Sequence, residues 1–107
     1  MARPQFTIKD FPEGFRQVSF EIPGGQTTPE EFAFAVAQLG NSLSGSLPIL
    51  LFGRGPIWGY AMLLHAAHAT PSVAVYDPRL GYVVTQSHSA KFTMGQIISD
   101  PDPRASP

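Results

Sequence analysis

The sequence predicts one small α/β domain with a mixed sheet and two main helices, and three observations carry that expectation. The chain has 107 residues, enough for one hydrophobic core and too few for a second. A hydrophobic share of 43% is ordinary for a folded globule and argues against global disorder. Short strand-like runs alternate with two segments that carry helical start and stop signals.

Phe6 to Ile8 and Arg16 to Ile22 alternate apolar and polar residues, with a turn at Phe11-Pro12-Glu13-Gly14. That pattern predicts a β-hairpin or two neighbouring strands. Pro23-Gly24-Gly25 ends the second. Thr28-Pro29-Glu30-Glu31 then offers an N-cap, a proline at the first helical position and a capping-box glutamate three residues after the cap. Phe32, Val36 and Leu39 continue at helical spacing, and Gly40 is a natural stop.

Leu47 to Phe52 is a short apolar run suited to a buried strand. Gly53-Arg54-Gly55-Pro56 follows, again with proline at a helix start. Ile57 to about Ala69 reads as the second helix, closed by Thr70-Pro71. Val73 to Tyr76 is another buried strand, Asp77-Pro78-Arg79-Leu80-Gly81 a turn, and Tyr82 to Gln86 a further strand. A last strand is expected within Gly95 to Ile98. Residues 1–98 are thus expected to form a single domain, and 99–107, with three prolines and no apolar anchor, a mobile tail.

Strand, helix and strand from Leu47 to Tyr76 make a right-handed crossover with its two strands parallel. Ligands of such sheets bind beyond the carboxyl ends of the strands. Gly53-Arg54-Gly55 and Asp77-Pro78-Arg79 both fall at such ends, so two separate stretches converge on one edge.

Composition excludes several classes of function. There is no cysteine, hence no disulfide, thiolate nucleophile or cysteine-based zinc site, as fits a reducing compartment. The amino terminus carries no apolar signal segment, and no apolar run, neither Ile49 to Phe52 nor the six residues Phe32 to Ala37, comes near the roughly 20 residues of a membrane span. A cytoplasmic protein without membrane or DNA partners is expected. Net charge is −1, unlike a binder of long polyanions. Five of the eight carboxylates lie at or before Glu31 and two in the tail, which leaves Asp77 among Arg54, Arg79, Lys91 and all three histidines. A local positive field around one acid suits a compact anion such as a small phosphodiester.

Gly53-Arg54-Gly55-Pro56 has the makings of a phosphate cradle. The glycines admit close backbone approach, the helix start points free N–H groups at the ligand, and Arg54 can fork onto two oxygens. The plainer alternative is a tight strand-to-helix turn with a solvated arginine. His65 and His68 are three apart on a predicted helix and can present two ligands to a metal, or one packs while the other bonds a carbonyl. Trp58 fits the core better than a base-stacking platform. Asp77 is either an Asx-turn residue or a ligand and base, with Arg79 two residues on to pair with it or with a phosphate. His88 ends the following strand.

Carboxylate oxygen and imidazole nitrogen are ligands that suit manganese, zinc or iron. A divalent metal on Asp77 and a histidine would polarise a phosphoryl oxygen, a second histidine would move a proton, and an arginine would offset transition-state charge. No serine sits in a nucleophile-elbow context, which disfavours a Ser/His/Asp triad.

Read as one ordered set, Gly53-Arg54-Gly55-Pro56-Ile57-Trp58, the paired histidines, Val75-Tyr76-Asp77-Pro78-Arg79-Leu80-Gly81 and Val83-Val84-Thr85-Gln86-Ser87-His88 closely resemble the Csx-three family of type III CRISPR-associated proteins. The resemblance implies a Rossmann-like domain, related to cyclic-oligoadenylate sensor domains and working as a homodimer. It implies a ring nuclease that binds cyclic tetra-adenylate and linearises it with manganese, the ligand sandwiched between two dimers in a tetramer. By that pattern His68, Asp77, Arg79 and His88 are the catalytic positions, with Asp77, His68 and His88 as metal ligands. Gly53, Arg54, Gly55 and Pro56 match the nucleotide-recognition loop. Gly59 stands where members often carry a bulkier apolar residue, and Thr85 replaces a more usual apolar one. The first 50 residues carry no signature. A manganese-dependent exonuclease trimming short oligoadenylate RNA would use the same groups, and a non-catalytic sensor would make Asp77 and His68 structural.

Overall fold

Asp10 and Arg16 face one another across a seven-pair antiparallel hairpin and hold it with a two-point ion pair, at 2.7 and 3.0 Å. The hairpin consists of β1 (Gln5–Phe11) and β2 (Phe15–Glu21), joined by a tight turn at Gly14. The structure, a computed structural model, describes residues 3–99; the expected tail lies outside them apart from Ser99.

After β2 come α1 (Pro29–Leu39), β3 (Ile49–Gly53), α2 (Ile57–Ala66), β4 (Ser72–Asp77), β5 (Gly81–Ser87) and a short β6 (Ile97–Ile98). The Thr28 hydroxyl accepts from the Glu31 N–H at 3.1 Å, the cap its spacing predicts. α2 ends at Ala66, three residues before the sequence-based expectation, because Ala67 leaves helical geometry and Thr70 bonds its hydroxyl back to the Ala67 carbonyl.

All six strands form one mixed sheet in chain order, β1 to β6. β2, β3 and β4 are parallel; β1, β5 and β6 run antiparallel to their neighbours. Two crossovers in the same direction, β2-α1-β3 and β3-α2-β4, place both helices on one face, where they also touch each other. That face holds the larger core: Val18 and Phe20 of β2, Ile49 and Leu51 of β3 and Val73 of β4 against Phe32, Leu63 and Ala67. On the opposite face Leu50, Ala74, Tyr82 and Val84 pack with Phe15 and Phe92, and Gln17 donates to the Tyr82 hydroxyl at 2.9 Å. Gln17 is therefore a buried polar group with its partner in place. No helix among the described residues is long and apolar enough to cross a membrane.

Candidate functional site

Three parallel strands end at the same edge, and a cleft of about 1250 Å3 opens there. It exceeds the roughly 300–1,000 Å3 of a drug-sized pocket. Gly53, Arg54, Gly55 and Pro56 all line it, together with Tyr76 near the end of β4 and Pro78 just after it, so the two stretches expected to converge do so. A third stretch joins them. Residues from Phe20 to Thr27 form the remaining wall, because β2 runs parallel to β3 and delivers its own loop to the same edge. Sequence reasoning missed this wall, although β2 followed by Pro23-Gly24-Gly25 and a capped helix repeats the strand, loop, helix pattern of the Arg54 segment.

The two cradle glycines have a packing reason of their own. A Cβ on Gly53 would stand 2.7 Å from both the ring and the carbonyl oxygen of Phe20, and one on Gly55 2.7 Å from the far side of that ring. Phe20 thus lies against the loop and fixes it. Tyr60, one turn into α2, donates its hydroxyl to the Gly53 carbonyl and sets its ring edge-on to Phe20. Burial pushes the Tyr60 phenol above its ordinary pKa, so the hydroxyl remains a donor. Arg54 is held out from this braced loop toward solvent.

Trp58 divides its surface. Its ring meets Phe32 edge-on at 5.7 Å, yet 37% of the residue stays exposed and it lines the cleft. Gly59 has the same cause: a Cβ there would reach 2.8 Å from the Phe32 ring, so the ring occupies the space that a bulkier residue would need.

Asp77 ends β4 beside the cleft. Its Oδ1 accepts the Arg79 N–H at 2.8 Å, an Asx-turn, and its Oδ2 stands 3.5 Å from the Arg79 guanidinium. The backbone N–H of Arg79, foremost, holds the Asp77 carboxyl below the usual carboxylate range, with the guanidinium adding to it. The Arg79 side chain is 85% exposed, so most of it is available to a ligand. Gly81, at φ +104°, closes the turn where an L side chain would be strained.

The histidines lie elsewhere. α2 runs back from the cleft and β5 runs antiparallel to β4, so His65, His68 and His88 gather at the opposite edge. The six residues of β4 separate the two edges by about 17 Å at a rise of roughly 3.3 Å per residue. Within a single chain, then, His68 and His88 do not stand with Asp77 and Arg79, and the expectation that these groups gather within or across subunits is left to a second copy. Among the described residues no three His, Asp or Glu side chains come close enough to hold a metal.

What the histidine edge does have is order. The His65 and His68 rings stack at 5.6 Å. Neither packs against the sheet; both are exposed. His68 Nδ1 donates to the His65 carbonyl at 2.8 Å, which leaves its Nε2 as the bare nitrogen. The His68 carbonyl accepts from Gln86 at 2.9 Å and from His88 Nε2 at 3.1 Å. The end of β5 is thereby tied to the end of α2, and His88 keeps Nδ1 as its free nitrogen.

Comparison with known proteins adds the family. A family profile described as CRISPR-associated protein (Cas_csx3) matches residues 33–99, more than half of the chain. The chain belongs to this family. A protein of Aquifex aeolicus (strain VF5), described only as uncharacterized, is 51% identical over 51 residues, which cover 47% of this chain. The match spans 46% of that relative, so the two correspond over about half of its length. Within this Csx-three member the profile takes in α2, β3 to β6 and most of α1, and with them Arg54, Asp77, Arg79 and the three histidines. The Phe20–Thr27 wall of the cleft falls outside it.

Proposed function

We propose that this protein is a metal-dependent ring nuclease that binds cyclic tetra-adenylate and linearises it, so ending type III CRISPR antiviral signalling. The observation that carries the proposal is the division of its chemistry between two edges of one sheet. One edge offers a cleft with an exposed arginine at Arg54 and the Asp77–Arg79 pair beside it. The other offers ordered imidazoles with a bare nitrogen on His68 and on His88. Each edge is half of a phosphodiesterase. A second copy supplies the missing half when the ring is held between subunits, as in a tetramer of two homodimers.

In this reading Arg54 and Arg79 bind the internucleotide phosphates and offset charge as it develops on them. The Asp77 carboxylate and the imidazoles of His68 and His88, drawn from different subunits, would hold manganese. Manganese, when bound, polarises a phosphoryl oxygen and lowers the pKa of the attacking hydroxyl. The residues present suit it, since carboxylate oxygen and imidazole nitrogen are ligands of that ion. Of His68 and His88, the imidazole not engaged by the metal would take or return a proton. Kinship with cyclic-oligoadenylate sensor domains of Rossmann-like form belongs to the same reading.

The test is to incubate the protein with cyclic tetra-adenylate, with and without manganese, and resolve the products. Linear oligoadenylate formed only with metal is expected; an intact ring in both arms defeats the proposal. Faster trimming of linear oligoadenylate RNA than opening of the ring would assign the same groups to an exonuclease. Tight binding without turnover would make the domain a sensor, the role that the Asx-turn at Asp77 would suit.

A further inference from the structure

We infer that Glu21 to Thr27 form the base-reading wall of the cleft, with Gln26 and Thr27 as specificity-determining residues that select adenine. The inference rests on the nucleotide-binding reading above and goes on to say which residues choose the base.

The cleft is electrically lopsided. Arg54 stands on the β3–α2 loop and Glu21 on the wall contributed by β2. A phosphate is drawn to the arginine and repelled by the carboxylate, so a nucleotide lies with its base toward the Glu21–Thr27 side. Tyr76 and the exposed part of Trp58 provide apolar surface on which a base can stack.

Thr27 then supplies an independent sign. Its hydroxyl oxygen is buried and has no hydrogen-bond partner, and it alone is in that state among the described side chains. A buried hydroxyl without a partner is costly and is rarely left so. Rotation about χ1 to another staggered well would break no hydrogen bond. A ligand in the cleft that Thr27 lines gives the hydroxyl the partner it lacks.

Gln26, next to it, is exposed, lines the cleft and bonds to no other described residue. A carboxamide presents one donor and one acceptor side by side. That is the complement of adenine, whose N6 amino group donates and whose N7 accepts. Hypoxanthine and guanine present two acceptors on the same edge, and an amide meets them with one bond in place of two. Glu21, an acceptor only, adds to the preference for a base that carries an exocyclic amine. The wall lies outside residues 33–99, so base choice resides in a part of the chain that the family profile does not describe.

The experiment titrates cyclic tetra-adenylate and its inosine counterpart, without divalent metal, into the wild-type protein, Gln26→Leu and Thr27→Val, and records melting temperatures of all three. The wild type is expected to favour the adenine ring by about tenfold or more, the discrimination of a good bidentate pair. Gln26→Leu should reduce that preference to within about threefold while Arg54 still holds the phosphates. Thr27→Val should weaken binding of the adenine ring by about three- to tenfold without lowering the melting temperature, because its hydroxyl has no partner to lose. Equal affinity of the wild type for both rings, or an unchanged preference in Gln26→Leu, overturns the inference and leaves nucleotide binding intact. Failure of the wild type to bind either ring overturns the functional reading itself, and the wall with it.

Discussion

The two edges of the sheet are built from the same strands and carry different side-chain chemistry. At the carboxyl edge three parallel strands release three loops into one cleft, and the charged groups are an arginine held on a braced loop and a carboxylate kept ionised by its own turn. At the amino edge the chain offers its three imidazoles, stacked or tied by backbone carbonyls, while the Asp10–Arg16 pair there is spent on closing the hairpin. Parallel strands sort their loops by edge, so chemistry that is contiguous in sequence is divided in space. His68 and Asp77 are nine positions apart, yet a strand's length separates them. In the proposed function, a second copy of the chain makes good that division.

The sharpest way to break that comparison is to disable each edge separately. Asp77→Ala, and the double variant His68→Ala with His88→Ala, should each lose about a hundredfold or more in ring opening, the scale of general acid–base catalysis. Asp77→Ala should largely retain binding. Mixing the two inactive proteins should restore a measurable part of the activity, because a mixed assembly contains one intact composite site. A mixture as inactive as its components would mean that the edges do not cooperate. Unchanged turnover in Asp77→Ala would remove that carboxylate from catalysis.

Arg54→Ala should come next in size. Loss of a charge-assisted bond to phosphate should weaken ring affinity by about ten- to a hundredfold, measured without metal. The histidine variants should leave that affinity near the wild-type value, which would sharpen the assignment of binding to one edge and chemistry to the other.

Gly59→Ala probes the support of the cleft. The added Cβ would press on the Phe32 ring at 2.8 Å, and overpacking of this kind costs about 1–3 kcal/mol against roughly 1 kcal/mol recovered in helix propensity. A modest fall in stability by denaturant unfolding is expected. A gain would show that Phe32 moves aside freely.

The smallest effect concerns the charge of Asp77. Its carboxyl is held below 3.8 chiefly by the Arg79 backbone N–H, so an NMR titration should place its midpoint lower than that value. The sign follows: a carboxylate depressed in the folded state favours folding above its unfolded pKa and loses that contribution as pH falls through the folded one. Arg79→Ala leaves the N–H in place, and most of the depression should persist. Return of the midpoint to 3.8 in that variant would transfer the effect to the guanidinium, and the side chain would then be less available to a ligand.

Much of the architecture was legible because its signals are local. Thr28-Pro29-Glu30-Glu31 caps α1 through atoms within four residues, and the apolar runs of β3 and β4 mark strands buried on both faces. The crossover between them placed Arg54 and Asp77 at one edge. The Gly53 and Gly55 positions were legible as special but not in their cause, since the partner is Phe20, more than thirty positions upstream. The histidine edge was derivable in principle: a helix returning from β3 and a strand antiparallel to β4 must both finish at the far edge. Motif spacing along the chain concealed it.

By itself the sequence determined the order of the elements, the caps that delimit them and the identity of the charged groups, because those depend on neighbours within a turn or two of chain. Only the tertiary structure decided that β2 lies parallel to β3 and brings Gln26 and Thr27 into the cleft, and that the imidazoles face away from Asp77. Strand order and direction are set by which apolar faces find each other across the sheet, a long-range condition that local periodicity does not encode.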